Sequence, residues 1–330
     1  MFNDKTILIT GGTGSFGKSF TKYLLAEYKP KKIIIFSRDE YKQYEMSRSF
    51  GEHPLLRFFI GDVRDKDRLV RALYGVDYAI HAAASKQVVA AEYNPFEAVK
   101  TNIIGGQNVI EACIDNNVKR VVALSTDKAA NPVNLYGATK LASDKLFIAG
   151  NAYAGGRSTK FAVVRYGNVL GSRGSVLPLF LEQRLRGELT ITDPAMTRFW
   201  IRMQQAMALV VKAFNTMQAG EIYVPKIASM KMIDFAKTLA PQAKINIVGI
   251  RPGEKLHEVM IPIDDARHTL EYADHYRITP EFLPWEPQQG GIAVPHDFCY
   301  SSETNTMKLS AEELIATARA VAQECGIAYD

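Results

Sequence analysis

Cysteine and histidine are scarce in this chain of 330 residues. The three cysteines, Cys113, Cys299 and Cys325, lie far apart, and no two of them have CxxC spacing. An odd and sparse set of cysteines is typical of a reducing compartment and argues against a disulfide framework. The six histidines show no HExxH or other metal-ligand spacing. The sequence therefore predicts no bound metal.

Long apolar runs are also missing. No stretch approaches the roughly 20 apolar residues that span a bilayer. The N-terminal MFNDKTILITGG has no basic region followed by a long apolar core, so we expect no signal peptide, no membrane segment and a cytoplasmic location. The 40 basic residues are mixed with 35 acidic ones, without a finger, RNP or basic-helix motif. This mixture argues against nucleic-acid binding and leaves a solvated surface or an anionic small-molecule ligand to explain the net charge of +5.

Short β-rich runs alternate with helical patterns through the first half of the chain. The apolar runs that predict strands are 5–10, 31–37, 56–63, 76–83, 119–126 and 160–171. Near-continuous apolar strands separated by helices predict an α/β fold with a doubly wound parallel (Rossmann) sheet. The alternation loosens after Gly171, and we expect residues 172–200 to be loop-rich and residues 284–295 to form turns. We predict an NADP-binding Rossmann domain over 1–171 and a mainly substrate-binding lobe over 172–330, with some segments returning to the first domain.

The segment GGTGSFG follows the first predicted strand and opens the first predicted helix. Its Gly11, Gly14 and Gly17 have GxxGxxG spacing. Glycines allow the tight turn, the close backbone approach to a pyrophosphate and the close contact of helix with strand that dinucleotide binding needs. The loop alone is weak evidence, but its position between strand and helix makes the prediction strong. The predicted cofactor contacts here are Gly11, Thr13, Gly14, Ser15, Phe16 and Gly17.

The end of the second predicted strand bears on which dinucleotide binds. NAD-binding proteins usually place an acid there to hold the ribose 2′-hydroxyl. This chain has Ser37 at that position, then Arg38, with Lys42 nearby. A hydroxyl and a guanidinium suit a 2′-phosphate, so we predict NADP. In the alternative, Arg38 is a surface residue and Asp39 binds the ribose.

Two further strand ends are predicted to line the cofactor. Asp62 and Val63 follow the third strand, where Asp62 can reach the adenine. Ala82 follows the fourth strand and would pass beside the nicotinamide half of the cofactor. Both places are carboxyl ends of parallel strands, where ligands of this fold class bind.

The stretch LSTDKAANPVNLYGATK, residues 124–140, holds the candidate chemical groups. Tyr136 and Lys140 are spaced i, i+4 and share one face of a predicted helix. A tyrosine with a pKa near 10 is a poor base, but a neighbouring ammonium and an oxidised nicotinamide stabilise the phenolate and lower that pKa. YxxxK is common and usually structural, yet here it follows a strand in a chain that also has a nucleotide loop. We therefore predict that both residues are catalytic and contact the cofactor.

The chain resembles the extended short-chain dehydrogenase/reductase family. The matching motifs are TGGTGSFG, HAAA, the TN–GGQNV segment beginning at Thr101, STDK, YGATK, VRYGNVLGSRGSV and RPGEKLHE, with YSSETN and KLSAEEL toward the end. Within the family, SRDE, SKQV and STDKA are similar to the inverting UDP-N-acetylglucosamine 4,6-dehydratases, which open pseudaminic acid synthesis. Simple epimerases of the family usually lack an acid–base pair here. The dTDP-glucose 4,6-dehydratases have Asp-Glu where this chain has Asp127 and Lys128, so the lysine is the discriminating difference.

The resemblance implies a UDP-sugar substrate and a reaction in three stages. C4 is oxidised, water is eliminated across C5 and C6, and C6 is reduced, so that NADP is recycled. Tyr136 would take the proton of the C4 hydroxyl, Asp127 would protonate the leaving C6 hydroxyl, and Lys128 would remove the C5 proton. These roles require a raised pKa at Asp127 and a lowered pKa at Lys128. The lysine also predicts inversion at C5, while the division of acid and base roles within the pair stays open.

The resemblance also implies which residues bind the substrate. They are Lys86, Asn168, Val169, Arg173, Val176, Thr190, Arg251 and Glu254, and Lys86 is expected to contact the cofactor as well. Arg173 and Arg251 suit a diphosphate because guanidinium binds phosphate oxygens in a bidentate way, although each can instead be a surface residue. We expect His257 and Glu258 to be polar groups on a helix surface. The family usually assembles as dimers or larger, so a homo-oligomer is expected.

Three other functions stay open at the level of sequence. A nucleotide-sugar 4-epimerase would make no 4-keto sugar. A retaining 4,6-dehydratase would use Lys128 only as a positional group. An NADP-sensing binding protein on the same fold would not need YxxxK, which this chain has.

Overall fold

The computed structural model describes residues 1–172, 174–282 and 290–329. The strands in these ranges are β1 (Thr6–Thr10), β2 (Lys32–Ser37), β3 (Leu56–Ile60), β4 (Tyr78–His81), β5 (Arg120–Thr126), β6 (Lys160–Tyr166), β7 (Asn168–Val169), β8 (Glu188–Ile191), β9 (Thr197–Ile201), β10 (Ile222–Pro225), β11 (Ala228–Lys231), β12 (Lys244–Ile247), β13 (Val259–Ile261), β14 (Thr269–Glu271), β15 (His275–Ile278), β16 (Ile292–Ala293) and β17 (Tyr300–Ser301). The α-helices are α1 (Ser15–Glu27), α2 (Glu40–Ser49), α3 (Lys66–Leu73), α4 (Val88–Tyr93), α5 (Pro95–Val99), α6 (Gly105–Asp115), α7 (Leu135–Tyr153), α8 (Val176–Arg184), α9 (Met203–Thr216), α10 (Met232–Leu239) and α11 (Ala311–Cys325).

A ten-stranded sheet forms the centre of the molecule, in the order β3-β2-β1-β4-β5-β6-β10-β15-β14-β16. The first seven strands of this order run parallel to one another, and each of the last three is antiparallel to the strand before it in the order. β1 and β4 are buried at every position, as expected where helices cover both faces of a sheet. The strand order reverses between β1 and β4, which is where doubly wound sheets bind their ligands. The predicted fold class is confirmed.

The six predicted strands of the first half are all present as β1 to β6, but the expectation of a loop-rich segment at 172–200 is wrong. In the structure α8, β8 and β9 lie within that segment. α8 has the sequence VLPLFLEQR, and its Pro178 lies in the first turn, where a missing amide hydrogen is tolerated. Tertiary packing rather than periodicity stabilises these short elements.

A second apolar core lies outside the sheet and defines the smaller lobe. Its buried members include Leu177, Phe180, Trp200, Phe235 and Leu314. α8, β9, α10 and α11 therefore pack on one another, whereas β10 and β14 to β16 return to the central sheet. The division of the chain at residue 171 stays a prediction. Of the predicted turn at 284–295, residues 284–289 lie outside the described part, and Ile292–Ala293 form an edge strand.

None of the described helices combines the length and the hydropathy that a membrane-spanning helix needs. The described residues also hold no group of three or more His, Cys, Asp or Glu side chains arranged to bind a metal ion.

Candidate active site

A cavity of about 1010 Å³ lies at the carboxyl ends of β1 to β6, between the sheet and the smaller lobe. Its volume is at the upper end for small-molecule sites, which suits two nucleotide-sized ligands side by side. Of the predicted site residues that the structure describes, all but Asp127 line this cavity. Arg173, predicted to bind substrate, lies outside the described residues.

The glycine loop shapes one end of the cavity and fits a pyrophosphate. A Cβ on Gly17 would lie 2.3 Å from the carbonyl oxygen of Gly12, so only glycine lets α1 pack this closely on β1. Gly14 is the N-cap of α1, and its residue type leaves the first amides of the helix without a side-chain cap. α2 and α3, in contrast, begin with the capping side chains of Asp39 and Asp65. Uncapped amides at the start of a helix are the kind of donors that bind an anionic pyrophosphate.

The end of β2 presents both groups that were predicted to select the cofactor. Ser37 is buried, and its hydroxyl accepts a hydrogen bond from Nε2 of Gln43 at 3.0 Å, which leaves its own proton to donate. The guanidinium of Arg38 is 71% exposed and lies 3.9 Å from Asp62. Lys42 pairs with Asp39 at 2.7 Å, and Asp39 also caps α2. Asp39 is therefore already occupied by two contacts, which disfavours it as the ribose ligand.

The ends of β3 and β4 line the middle of the cavity. Arg64 pairs with Asp62 at 2.7 Å; although burial opposes the shift, this pairing lowers the pKa of Asp62. Val63 packs close to Gly105 at the start of α6. Ala82 and Lys86 follow β4 and line the cavity, and burial lowers the pKa of Lys86.

Tyr136 and Lys140 lie one turn apart near the start of α7 and are both buried. Asn134 starts this helix by accepting the amide hydrogen of Gly137 at 2.8 Å, and its side chain donates to the carbonyl of Gly253 at 2.7 Å. Asn134 thus links α7, the helix that carries Tyr136 and Lys140, to the loop 251–254. Nζ of Lys140 donates to the carbonyl of Leu124 at 2.9 Å, so β5 holds this ammonium against α7.

Burial raises the pKa of Tyr136 to about 12, while the charge of Lys128 and a hydrogen bond with Thr126 act in the opposite direction. A base at neutral pH needs the pKa to fall instead. The protein's own cations therefore do not complete the activation that the sequence predicted. The positive charge of a bound oxidised nicotinamide would have to supply the remainder.

Asp127 and Lys128 lie in a short 3₁₀ turn, Asp127–Ala129, that leaves the end of β5. Gly137 makes room for this turn, because a Cβ there would lie 2.2 Å from the carbonyl oxygen of Lys128. Tyr136, the neighbour of Gly137, is thereby held beside Lys128. The acid–base pair and the YxxxK helix share one site because of this close backbone approach.

Nζ of Lys128 lies between two carboxylates, 3.1 Å from Asp127 and 3.2 Å from Glu258. Asp127 is fully buried behind Lys128, where its Oδ1 also accepts the hydroxyl of Thr126 at 2.9 Å. Only Lys128 and Glu258 of this trio line the cavity.

The two predicted pKa shifts of the pair have different outcomes. Burial raises the pKa of Asp127, against the lowering effect of Lys128, as an acid that keeps its proton requires. The predicted lowering at Lys128 is wrong. Burial alone would lower the pKa of Lys128, but the charges of Asp127 and Glu258 raise it above its ordinary value. The ammonium is the form that two flanking carboxylates stabilise.

The expectation that Glu258 is a surface group is also wrong, since it is 2% exposed and faces the cavity. Arg198 and Lys255 approach the same carboxylate, each at 3.8 Å, and the sequence analysis identified neither. His257 is partly buried and bonds to Thr197 at 2.8 Å. Glu258 lies 130 positions from Lys128 in the chain, so no local pattern joins them; its place at the end of the matching motif RPGEKLHE, directly before β13, was the available signal.

The predicted substrate residues line the other half of the cavity. Asn168 and Val169 form β7, which pairs with β9. Val176 opens α8, and Thr190 lies in β8. In the loop 251–254, Glu254 accepts the backbone amide hydrogen of Arg251 at 3.2 Å, and the Arg251 side chain is exposed. A sugar nucleotide bound along these elements would reach from the loop to Tyr136.

Residues 7–280 match the family described as polysaccharide biosynthesis protein. The chain belongs to this family. Membership confirms the resemblance to extended short-chain dehydrogenases/reductases on which the sequence analysis relied.

Two relatives are similar over almost their full lengths. The UDP-N-acetylglucosamine 4,6-dehydratase (inverting) of Campylobacter jejuni is 56% identical over 326 residues, which are 96% of this chain and 97% of the relative. The UDP-glucose 4-epimerase of Rickettsia canadensis is 41% identical over 331 residues, 95% of each chain.

Solved structures share the fold. Pen from Bacillus thuringiensis matches with a TM-score of 0.90 and 37% identity, over 99% of this chain and 100% of that one. The dTDP-glucose 4,6-dehydratase DesIV of Streptomyces venezuelae, solved with NAD bound, matches with a TM-score of 0.69 and 26% identity, over 76% and 86% of the two chains.

Proposed function

We propose that this chain is a C5-inverting UDP-N-acetylglucosamine 4,6-dehydratase, with UDP-2-acetamido-2,6-dideoxy-β-L-arabino-hex-4-ulose as its product. The observation that carries the proposal is Lys128, which lines a nucleotide-sized cavity beside Tyr136 and in contact with the buried acid Asp127. The 56% identity to an inverting dehydratase over nearly the whole chain supports the same assignment.

A nicotinamide dinucleotide is the cofactor, and NADP is our proposal for its identity. The uncapped start of α1 and the glycine loop would hold its pyrophosphate. Ser37 and the exposed guanidinium of Arg38 would contact a 2′-phosphate, in the way that bidentate guanidinium groups bind phosphates. When bound, the cofactor would supply the two-electron acceptor for C4 and the donor for C6.

Tyr136 is the proposed base for the C4 hydroxyl. Its ring lies beside the cavity at the start of α7, and Lys140, one turn later, places a basic group on the same helix face. The buried surroundings that raise the pKa of Tyr136 also exclude water. A charge placed near the phenolate therefore interacts with it more strongly than it would in water.

Elimination is proposed to involve Lys128 and Asp127. Once C4 is a ketone, the C5 proton is acidic, and the amine of Lys128 is the group in the cavity wall that can take it. Asp127, whose pKa burial raises, would supply the proton of the leaving C6 hydroxyl. Because Asp127 does not itself line the cavity, its route to the substrate is the 3.1 Å contact with Nζ of Lys128.

The deciding experiment is incubation of the protein with UDP-N-acetylglucosamine and NADP, followed by NMR of the product. We expect a 4-keto-6-deoxy sugar with the L-arabino configuration. A D-xylo product in the fresh reaction would instead indicate a retaining dehydratase and return Lys128 to a positional role.

A 4-epimerase is the second candidate, because a relative of that name is 41% identical over 95% of the chain. An epimerase needs no group that abstracts at C5, so the position of Lys128 in the cavity wall supports the dehydratase. The same NMR experiment separates the two, since an epimerase leaves C6 hydroxylated and forms no 4-keto product.

The remaining proposals concern the setting of the reaction. The sequence resemblance supports pseudaminic acid synthesis as the pathway and a homo-oligomer as the working form. The cysteines, which are few, odd in number and without CxxC spacing, support a reducing cytoplasm.

A further inference from the structure

Glu258 is the part of the site that the proposed reaction has not used. Its Oε1 lies 3.2 Å from Nζ of Lys128. Within the described part of the chain, Oε2 of Glu258 and Oδ2 of Asp127 have no hydrogen-bond partner. Burial opposes the shift, but the positive charges of Lys128, Arg198 and Lys255 lower the pKa of Glu258 below its ordinary value, so this carboxylate is ionised in the free protein and can accept a proton.

The backbone around Glu258 is fixed. Its amide donates to the hydroxyl of Ser302 at 2.9 Å, and its carbonyl accepts the amide hydrogen of Ser302 at 2.8 Å. Ser302 is fully buried and also bonds to Thr197 on β9 at 2.7 Å. β9, β13 and β17 thus hold the carboxylate against Lys128, as a group with a task in the reaction requires.

The charge environment of Lys128 conflicts with its role as a base. Asp127 and Glu258 flank it, Arg198 and Lys255 face Glu258 from β9 and from the 251–254 loop region, and Tyr136 faces Lys128 from α7. Burial lowers the pKa of Lys128, but Asp127 and Glu258 together raise it above its ordinary value. The charge of Glu258 remains when Asp127 holds a proton, so the free protein holds an ammonium that cannot take the C5 proton. A proton must leave Nζ before elimination.

We propose that Glu258 is the group that accepts this proton, and that it acts through Lys128 as a positioning residue for the proposed dehydratase reaction. The proton crosses the 3.2 Å contact from Nζ to Oε1, which turns an ammonium–carboxylate pair into an amine–carboxylic acid pair. Substrate binding favours the transfer because it displaces water from the cavity, and a drier site disfavours separated charges.

Protons balance over the cycle. The amine of Lys128 takes the C5 proton and becomes an ammonium again, and the C–H electron pair forms the C5–C6 double bond as the C6–O bond breaks. The proton of Asp127 leaves with the hydroxide as water. Nζ contacts both carboxylates, so it can take the proton stored on Glu258 and pass one to Asp127, which restores the starting state. The proton that C5 finally gains matches the one that Tyr136 took from the C4 hydroxyl.

The test compares Glu258→Gln with the wild type in single turnovers of UDP-N-acetylglucosamine, followed by the near-ultraviolet absorbance of the reduced nicotinamide. Gln has the same shape and can still accept a hydrogen bond from Lys128, but its amide cannot store a proton. We expect the absorbance to rise normally and its decay at neutral pH to slow by about 10²–10⁴-fold. The decay should recover as the pH rises, because Lys128 then loses its proton to water.

Each other result has a defined meaning. If the absorbance of Glu258→Gln decays faster than that of the wild type at neutral pH, Glu258 only retains the proton on Lys128. If the rate and the pH profile are unchanged, Glu258 has a structural role. Either result overturns the inference. The control Glu303→Gln removes an exposed carboxylate that contacts His257 and not Lys128, and should leave the decay unchanged. A wild type that forms no 4-keto sugar would instead overturn the proposed function, and with it this inference.

A second variant guards against misfolding of the first. Glu258→Asp keeps the charge but withdraws the carboxylate from Nζ by one methylene. We expect a slower decay, by at least about tenfold, with the same alkaline recovery, since transfer falls when the donor and acceptor separate. A Glu258→Asp variant with the rate and the pH profile of the wild type contradicts the inference even if Glu258→Gln does not fold.

Discussion

Replacing Gly137 by alanine tests whether the close approach of α7 to the 127–129 turn assembles the chemical site. The added Cβ would lie 2.2 Å from the carbonyl oxygen of Lys128 and 3.1 Å from Cβ of Pro132. Ordinary van der Waals contact begins at 3.4 Å, so helix and turn must separate by about 1.2 Å. The obstacle is backbone, which cannot rotate away as a flexible side chain can. Tyr136 and Lys128 therefore move apart.

The expected losses of activity and of stability in Gly137→Ala follow from that displacement. A misplacement of about 1 Å at reacting groups costs on the order of 10²-fold in rate, so we expect kcat to fall by about that factor. Overpacking costs about 1–3 kcal/mol, and the higher helix propensity of alanine offsets at most about 1 kcal/mol of it. With the full offset, the net loss of unfolding free energy is about 0–2 kcal/mol. Alanine retains the amide that Asn134 caps, so the start of α7 survives.

The assay pairs kcat for 4-keto product formation with Tm from a thermal melt. Gly156→Ala is the matched control, because a Cβ there meets no atom within 4 Å and should change neither quantity. Activity of Gly137→Ala within about threefold of the wild type, in a folded protein, would refute the idea that this backbone contact sets the distance between the base and the acid–base pair.

Three further variants test the roles proposed for single residues. Arg38→Ala should reduce the preference for NADP over NAD by more than about tenfold, since a charged hydrogen bond is worth about 1.5–3 kcal/mol. Equal affinity of the wild type for the two cofactors, measured by titration, would contradict the proposal of NADP. Tyr136→Phe should leave substrate affinity nearly intact and lower the rate by about 10²–10⁴-fold, and a loss of only a few-fold would exclude Tyr136 as the base. Lys128→Ala should still show transient cofactor absorbance but release no water. In D₂O the wild type should place one deuterium at C5 with inverted configuration, which NMR of the product detects.

Local patterns were sufficient wherever the controlling forces are local. The six β-rich runs became β1 to β6, because continuous apolar strands between helices bury both faces of a parallel sheet. The glycine loop was placed correctly for the same reason: only glycine tolerates the 2.3 Å approach at Gly17, so the requirement is visible in the residue type itself. Short elements such as α8 and β9 were not predicted, since contacts with α10 and α11 rather than periodicity stabilise them.

The sequence by itself determined the fold class and the position of the glycine loop between β1 and α1. It also predicted Tyr136, Lys140 and the Asp127–Lys128 pair as site residues, since each prediction depends on residues within a few positions of one another. Only the tertiary structure decided the directions in which the pKa values of that pair shift. A pKa depends on burial and on charges within a few ångströms, and two charges reverse the predicted shift at Lys128: that of the adjacent Asp127 and that of Glu258, 130 positions away in the chain. Chain separation hides such a partner, and folding brings its carboxylate to 3.2 Å from Nζ.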